Sequence, residues 1–416
     1  MQLTLPSLIE SRIGQLSRPL ALQWPGGRAG AADAPVRLKV NDSQQLKWLV
    51  SGQIGTLADA YVRGDLEIEG NLREAVEIAA ELAGDPVGQG HAHLGAQLLQ
   101  HLRSRWLHRP HKDAEQVRFH YDLSDDFFAL WLDPLRVYSC AYYEHNDMTL
   151  AQAQEAKLEH ICRKLQLEPG QLLLDIGAGW GGLLLWAAEH HGVHAMGITL
   201  SRHQHAHVNR LIDEKGLRDR VTMRLLDYRD LPPLARFDRI ASVGMFEHVG
   251  SAQLDNYFGR LQRLLKPGGL LLNHGITAGG VDNPQLGAGL GDFIGKHIFP
   301  GGELVHVSRV ARSLSACGLE LLDAENLRPH YARTLWAWSD ALESQLERAR
   351  EITSEATVRA YRLYLAGCAV AFERGWISIH QLLASRPTGV VNNTPLRGAQ
   401  SDYPFNRRHI YAAEPA

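Results

Sequence analysis

The sequence predicts an α/β protein in which a doubly wound, mainly parallel sheet carries helices on both faces, with a small α+β unit ahead of it. Three observations carry this expectation. The run Leu172-Leu-Leu-Asp-Ile-Gly-Ala-Gly-Trp-Gly-Gly182 is an apolar strand that breaks into glycines where a helix must begin. From about Gly170 onward, strand and helix patterns alternate at regular spacing. Residues 1–95 follow a different order, in which short strands and helices mix.

In the first unit, Val36 to Val40 reads as a strand, and Asn41, Asp42 and Ser43 lead into a helix. A second helix around Leu57 to Val62, a strand at Leu66 to Ile68 and a third helix from Leu72 to Leu82 follow. The unit ends in Gly84 to Gly90. A basic and aromatic stretch with Arg103, Arg105, Trp106, Arg109 and Lys112 defines a linker helix over 96–118. It reads as a solvated helix, or alternatively as a surface for anionic headgroups. The main domain spans 119–390. Its strands are expected at Leu172 to Leu174 with Asp175 at the strand end, Val193 to Ile198, Val221 to Leu226, Phe237 to Val243 and Gly269 to Asn273. The helix from Leu183 to His191 is closed by Gly192, and the breaker Lys266-Pro-Gly-Gly269 ends the helix before the fifth strand. Residues 391–416 form a tail rich in Pro, Gly and Asn that is expected to be mobile.

The chain has 416 residues, 45% of them hydrophobic and 21% charged, which is enough for one large or two moderate cores. A net charge of -3 gives no global case for nucleic acid, and none is expected as a partner. The four cysteines, Cys140, Cys162, Cys317 and Cys368, are too scattered for a zinc knuckle or a secreted framework, which points to a reducing cytoplasm. No leader pattern opens the chain and no apolar run is long enough to span a bilayer, so any membrane contact is expected to be peripheral, from the inner face.

Ligands of doubly wound sheets bind outside the carboxyl ends of the strands. The polar residues expected there are Asp175, Thr199 with Gln204, Asp227, Glu247 and His274. The glycine turn, with Gly177, Gly179 and Gly181, exposes main-chain N–H groups at a helix start. The second strand runs into Thr199-Leu-Ser-Arg-His-Gln204, which carries no acid to hold a dinucleotide ribose, so S-adenosylmethionine fits better than nicotinamide or flavin. Glu247 and His274 could share a proton or bind a small anion. Singly, each of these residues also has a bland reading as a cap, a turn or a satisfied core histidine. The histidines His190, His191, His194, His203, His205 and His207 lack a compact ligand pattern and read as solvated.

Several segments together resemble one family. They are Phe119-His-Tyr-Asp-Leu-Ser-Asp-Asp-Phe-Phe128, Tyr138-Ser-Cys-Ala-Tyr142, Leu174 to Gly182, Gly197-Ile-Thr-Leu-Ser201 with Gln204, Gly244 to Gly250 and Phe299-Pro-Gly-Gly302. The chain is similar, from about His120 to Arg374, to the cyclopropane-fatty-acid synthases and their mycolic-acid relatives. These are class I S-adenosylmethionine-dependent methyltransferases with a Rossmann-like sheet. The first unit looks like that of the longer, phospholipid-acting members. The resemblance implies a cofactor site made of Tyr138, Ser139, Asp175, Gly177, Gly179, Gly181, Thr199, Leu200, Gln204, Leu226 and Asp227. It implies a bicarbonate ion held near Cys140, Glu247, His274, Ile276 and Tyr331, with Cys368 close by. It also implies a homodimer and a substrate of unsaturated phospholipid in the bilayer. Two departures stand out: Ala178 replaces a common cysteine, and Gly275 is expected to loosen the loop carrying Ile276.

The implied chemistry is attack of a cis double bond on the sulfonium methyl, followed by loss of a proton from that methyl to close a cyclopropane ring. Bicarbonate would be the base, oriented by Glu247 and His274, and Tyr331 would orient the ion or face the positive charge. Water has to be excluded from the cation. Phe293, Ile294, Ile298, Phe299, Trp336 and Trp338 are candidates for an apolar wall. Cys140 is expected to act by position, because no sulfur nucleophile is required. Open alternatives are methyl transfer without ring closure, methylation of a small molecule on oxygen or nitrogen, and a lipid-binding protein with a disabled site.

Overall fold

The structure is a computed structural model that describes residues 5–87, 124–232, 237–281, 286–388, 403–404 and 406–411. The basic linker of 96–118, with Arg103, Arg105, Trp106, Arg109 and Lys112, lies outside the described residues.

In the first unit, α1 (Leu5–Ile13), β1 (Leu20–Trp24) and β2 (Gly27–Gly30) precede β3 (Val36–Val40). The helices α2 (Leu46–Ser51) and α3 (Ile54–Arg63), the strand β4 (Leu66–Gly70) and the helix α4 (Leu72–Ala83) follow. The sheet order is β2-β1-β3-β4, with β1 parallel to β3 and the other pairs antiparallel. The strands and helices expected from Val36 onward are present. The helix entry at Asn41 to Ser43 differs: Asp42 caps a 3-10 turn at Ser43–Gln45, and the α-helix starts only after it. The hairpin β1–β2 was not expected, although Pro25 and Gly26, the latter at φ +85°, are its turn signal. Asn71 caps α4 by accepting a hydrogen bond from the Glu74 N–H.

The main domain begins with α5 (Asp125–Ala129) and α6 (Leu150–Lys164). It then alternates through β5 (Leu172–Ile176), α7 (Gly182–His191), β6 (His194–Thr199), α8 (Arg202–Glu214), β7 (Val221–Leu225), β8 (Phe237–Val243), α9 (Leu254–Leu264) and β9 (Leu265–Ala278). Beyond these come α10 (Leu290–His297), α11 (Val307–Ala316), β10 (Glu320–Asn326), α12 (Arg328–Glu343), α13 (Leu346–Ile352), α14 (Glu355–Glu373), β11 (Ile377–Ser385) and the short α15 (Arg408–Tyr411). The sheet order is β10-β11-β9-β8-β5-β6-β7. The five strands from β9 to β7 are parallel, and β11 and β10 add antiparallel at the other edge. The chain order reverses between β5 and β8, which opens a crevice at their carboxyl ends.

Two sequence expectations need correction here. His274 does not end a strand. β9 continues to Ala278 because β11 pairs with it along its whole length, placing His274 opposite Gln381. The tail is not simply mobile: Ile410 is 1% exposed, Arg407 bonds Asp323 at 2.9 Å, and the Tyr411 ring lies 6.0 Å from that of His160 on α6.

The first unit packs on the main domain through α3 and α4. The Gly55 N–H donates to the Ala288 carbonyl at 2.9 Å, and a Cβ at Gly55 would fall 1.8 Å from the Gly289 oxygen. Arg359 on α14 donates to the Tyr61 carbonyl at 3.0 Å and to Glu67 at 2.8 Å. Asp59 accepts from Lys296 at 2.6 Å and His297 at 2.7 Å, and Arg374 bonds Glu77 at 2.9 Å. Apolar side chains of both units form one continuous core.

Docking of the tail predicts an asymmetry between neighbouring residues. Ile410→Ala should lower the unfolding free energy by about 2–4 kcal/mol. Tyr411→Ala, at a 55% exposed position, should cost less than about 1 kcal/mol. Urea unfolding of both variants reads the difference, and equal midpoints would remove any stabilising role for residues 403–411.

Candidate active site

The glycine turn sits where the sequence analysis expects it, at the end of β5 against the switch point. Gly177 and Gly179 take φ of +75° and +55°, which L side chains rarely adopt. The N–H groups of Gly177 and Ala178 both donate to the Ile198 carbonyl at 3.0 Å, tying the loop to β6. Ala178 packs here as a small core residue. Gly181 differs from expectation: it is the N-cap of α7, its side-chain position faces Val208, and it does not line the cavity.

A cleft at this turn is lined by the other expected cofactor residues: Tyr138, Ser139, Asp175, Gly177, Gly179, Thr199, Leu200, Gln204, Leu226 and Asp227. Burial pushes the Asp175 carboxyl up to about 7, and the nearby Lys157 charge opposes that shift. The Thr199 hydroxyl donates to Gln204 Oε1 at 2.8 Å, and Gln204 Nε2, also buried, has no partner among the described residues. Asp227 is committed to Arg229, whose Nε and Nη2 donate to it at 2.9 and 2.6 Å. An acid that meets a cation and an unused amide donor suit a ligand with an ammonium, a sulfonium and hydroxyl oxygens, so the residues present fit S-adenosylmethionine.

The Tyr138–Ser139 segment is held from α6. Gln154 donates to the carbonyls of Val137 and Ser139 at 3.1 and 2.9 Å, and the Lys157 ammonium donates to Ser139 Oγ at 2.9 Å. Lys157 is 2% exposed, and desolvation brings it down to about 8. Sequence reasoning missed it, because a lysine inside an amphipathic helix reads as solvent-facing.

A second cavity of about 620 Å³ meets this cleft at Tyr138, Ser139, Gly244 and His248, which line both. Its volume lies in the range of small-molecule sites. Glu247, His274, Ile276 and Tyr331 are among the residues that line this second cavity. Glu247 rides on a 3-10 turn after β8, where Gly244 turns the chain at φ +64°. Its Oε1 accepts from the Ile276 N–H at 2.7 Å, and its buried Oε2 has no partner among the described residues. Burial pushes this carboxyl up to about 7. His274 is 0% exposed and neither ring nitrogen has a hydrogen-bond partner among the described residues, so the satisfied-histidine reading fails there. Desolvation, reinforced by the charges of Lys157 and Lys164, holds it well below the usual imidazole range. It is therefore a neutral ring with one donor and one acceptor on offer.

The Tyr331 ring packs 4.8 Å from Phe372 and 6.0 Å from Trp338. Cys368 lines the cavity, and burial pushes its thiol up to about 12. Cys140 is displaced from expectation: it lines neither cavity, its Sγ donates to the Ala141 carbonyl at 3.2 Å, and burial raises its thiol further still. Neither cysteine is a thiolate nucleophile at neutral pH. Of the expected apolar wall, Phe293, Ile294 and Phe299 line the cavity. Ile298 is buried beside it, Trp336 faces an outer depression under Arg73, and Trp338 belongs to the aromatic core with Trp131 and Tyr138. Further lining comes from α14, with Leu363, Tyr364, Val370 and Phe372, from Ile377 and Ile379 of β11, and from α3 and α4, through Ile54, Ala58, Val76, Ala79, Ala80 and Ala83.

The expectation for Gly275 reverses. It lies inside β9, paired with His380, and a Cβ there would meet the Phe246 ring at 2.3 Å and Glu247 Oε1 at 2.8 Å. Gly275 thus leaves the space that the Glu247 carboxylate occupies. Gly275→Ala should displace that turn and reduce turnover by about 100-fold while the melting temperature falls only slightly. Parallel activity and thermal unfolding measurements check this, and wild-type turnover would show that the close approach is not needed.

Comparison with known proteins now has a geometry to be set against. Residues 108–382 match the family described as mycolic acid cyclopropane synthetase. A probable fatty acid methyltransferase of Pseudomonas putida is 42% identical over 409 residues, 98% of this chain and 99% of that protein. Cyclopropane mycolic acid synthase 1 of Mycobacterium tuberculosis is 40% identical over 288 residues, 67% of this chain and 98% of the relative. Among solved structures, mycolic acid cyclopropane synthase CmaA1 complexed with SAH and CTAB superposes with a TM-score of 0.63 at 38% identity, covering 67% of this chain and 99% of that one. SAH is the demethylated form of S-adenosylmethionine, and the residues around Asp175 fit that cofactor. The chain belongs to the mycolic acid cyclopropane synthetase family and is an S-adenosylmethionine-dependent, lipid-modifying methyltransferase.

Proposed function

We propose that the protein transfers a methylene from S-adenosylmethionine across cis double bonds of unsaturated phospholipid acyl chains, forming cyclopropane fatty acids, with a bound bicarbonate as base. The observation that carries this reading is the set of buried polar atoms left without partners on an apolar cavity wall: Glu247 Oε2 and both ring nitrogens of His274. A small ion with both an O–H and anionic oxygens complements a carboxylate acceptor and a neutral imidazole. When bound, S-adenosylmethionine supplies an electrophilic methyl and bicarbonate supplies a basic oxygen.

The chain's own residues do the rest. Asp175 attracts the cationic cofactor, and the Tyr138–Ser139 segment sits where the two cavities meet. Glu247 and His274 orient the base toward the transferred methyl. The π electrons of the alkene form the new C–C bond as the S–CH3 bond breaks, which leaves a thioether and a cation on the neighbouring acyl carbon. Loss of one methyl proton to the base closes the ring. Tyr331 faces the charge with a neutral phenol ring, and Phe293, Ile294 and Phe299 keep out the water that would capture the cation.

The same reading has the enzyme work as a homodimer at the inner face of a membrane. The basic residues from Arg103 to Lys112 supply the headgroup attraction. No helix among the described residues is long and apolar enough to cross a membrane. A second reading, methyl transfer without ring closure, is consistent with the name of the Pseudomonas putida relative, a probable fatty acid methyltransferase that matches 98% of the chain.

Mass spectrometry of cis-unsaturated phospholipid vesicles, incubated with protein and methyl-labelled S-adenosylmethionine with or without bicarbonate, tests the proposal. A mass gain of one methylene that resists hydrogenation is expected, together with bicarbonate dependence. Glu247→Gln should cut turnover by about 10²–10⁴-fold and abolish that dependence. A product that hydrogenates would select the second reading, and absence of any lipid product would remove both.

Cofactor affinity should also follow pH. Asp175 is held up at about 7, so it is neutral below that value and attracts the sulfonium only above it. The dissociation constant for S-adenosylmethionine should rise by about tenfold per unit as pH falls below 7. Asp175→Asn should bind weakly with a flat profile, and an unchanged slope in that variant, read by calorimetry, would assign the dependence to another group.

A further inference from the structure

The N-terminal unit contributes more than attachment to this molecule. Ala79, Ala80 and Ala83 on α4, with Val76, fall at one face of the helix in the i, i+3, i+4, i+7 pattern, and all four line the cavity. On α3, Ile54 and Ala58 do the same at i, i+4. This wall belongs to the same cavity that holds Glu247, His274 and Tyr331. Four of its six side chains are methyl groups, so any longer residue there would extend into the space of the cavity. The wall is also fixed in place. Gly55, directly after Ile54, bonds Ala288, and Asp59, directly after Ala58, bonds Lys296 and His297 at the end of the helix that carries Phe293 and Ile294. Glu77, directly after Val76, bonds Arg374 just past α14.

We propose that α3 and α4 form the length-determining wall of the acyl cavity, with Ala58, Ala79, Ala80 and Ala83 setting how far the methyl-terminal arm of the chain extends beyond the double bond. This rests on the reading that the cavity takes an acyl chain. Ala80 and Ala83 are 4% and 5% exposed. A phospholipid keeps its phosphate in water, so the arm that reaches a wall this deeply buried is the apolar methyl end. Each methylene displaced from the cavity into water lowers relative specificity by about fourfold.

The test is competition within single vesicles. Phospholipids carrying cis-unsaturated chains are mixed in two series, one lengthened beyond the double bond toward the methyl end and one lengthened between the double bond and the carboxyl. Products are quantified by mass spectrometry. Ala80→Leu and Ala83→Leu should shift the product ratio toward short methyl-side arms by about fourfold per displaced methylene, with the carboxyl-side ratio unchanged. Val76→Ala, which enlarges the cavity, should shift the methyl-side ratio the opposite way. Ratios equal to those of the wild type in all three variants would overturn the proposal, as would discrimination confined to the carboxyl-side series, which would make this wall an entrance. A wild type that makes no lipid product at all would instead overturn the acyl-chain reading beneath it.

Discussion

Everything in this molecule is arranged around one costly feature: a carboxyl and an imidazole buried in an apolar wall with hydrogen-bonding atoms left unused. Burial moves Glu247 from 4.5 to about 7, a bias of about 3 kcal/mol against the charged form. His274 is biased against its charged form in turn. Such groups persist only where the surrounding structure over-determines them. Here two strands and a turn do so. His274 is locked in register between β8 and β11, its carbonyl accepts from the Gly244 N–H at 2.8 Å, and the Ile276 N–H holds one oxygen of Glu247. The same hydrogen bonds that build the sheet fix both polar side chains.

The cofactor cleft repeats the pattern with a different division of labour. Asp175 ends β5 and is buried, while Lys157 crosses from α6 to the Ser139 hydroxyl. The ammonium partly offsets the burial of the acid and at the same time holds the segment that separates the two cavities. Tyr138 on that segment lies within a ring cluster, 5.2 Å from Trp131 and 5.4 Å from Trp338. A charged anchor on one side and aromatic packing on the other leave the segment little freedom, as the junction between a cofactor and a second substrate requires.

Much of this was legible in the sequence for physical reasons. Glycines with positive φ mark the β5 turn because no other residue adopts them cheaply, and alternating apolar runs mark parallel strands. Polar residues at successive strand ends point to a common edge because parallel strands all end on one side. Other features leave no such trace. Nothing in the composition around His274 says that β9 continues, because its partner β11 lies about a hundred residues downstream. Lys157 looks like any lysine on a helix. The N-terminal wall is written in alanines, whose periodic spacing is identical to that of an ordinary core stripe. Gly275 misled for a related reason: a glycine in a strand reads as weakness, whereas its missing Cβ is the room that Glu247 fills.

The N-terminal unit follows from the same constraint. In the proposed reaction, a cation on an acyl carbon requires water to be absent along the chain as well as at the double bond, and the parallel sheet with its covering helices closes only part of that length. Ile54 and Val76 together with four alanines complete the enclosure from outside the sheet. Ion pairs and two main-chain hydrogen bonds, Gly55 N–H to Ala288 and Gly287 N–H to Pro86, draw the two units into a continuous apolar core. The carboxyl ends of β5 and β8, with His274 inside β9, hold the polar groups of the proposed reaction. The packing of α3 and α4 against the main domain determines how much dry volume lies behind it, so shape on the substrate side can vary without disturbing a single hydrogen bond around Glu247.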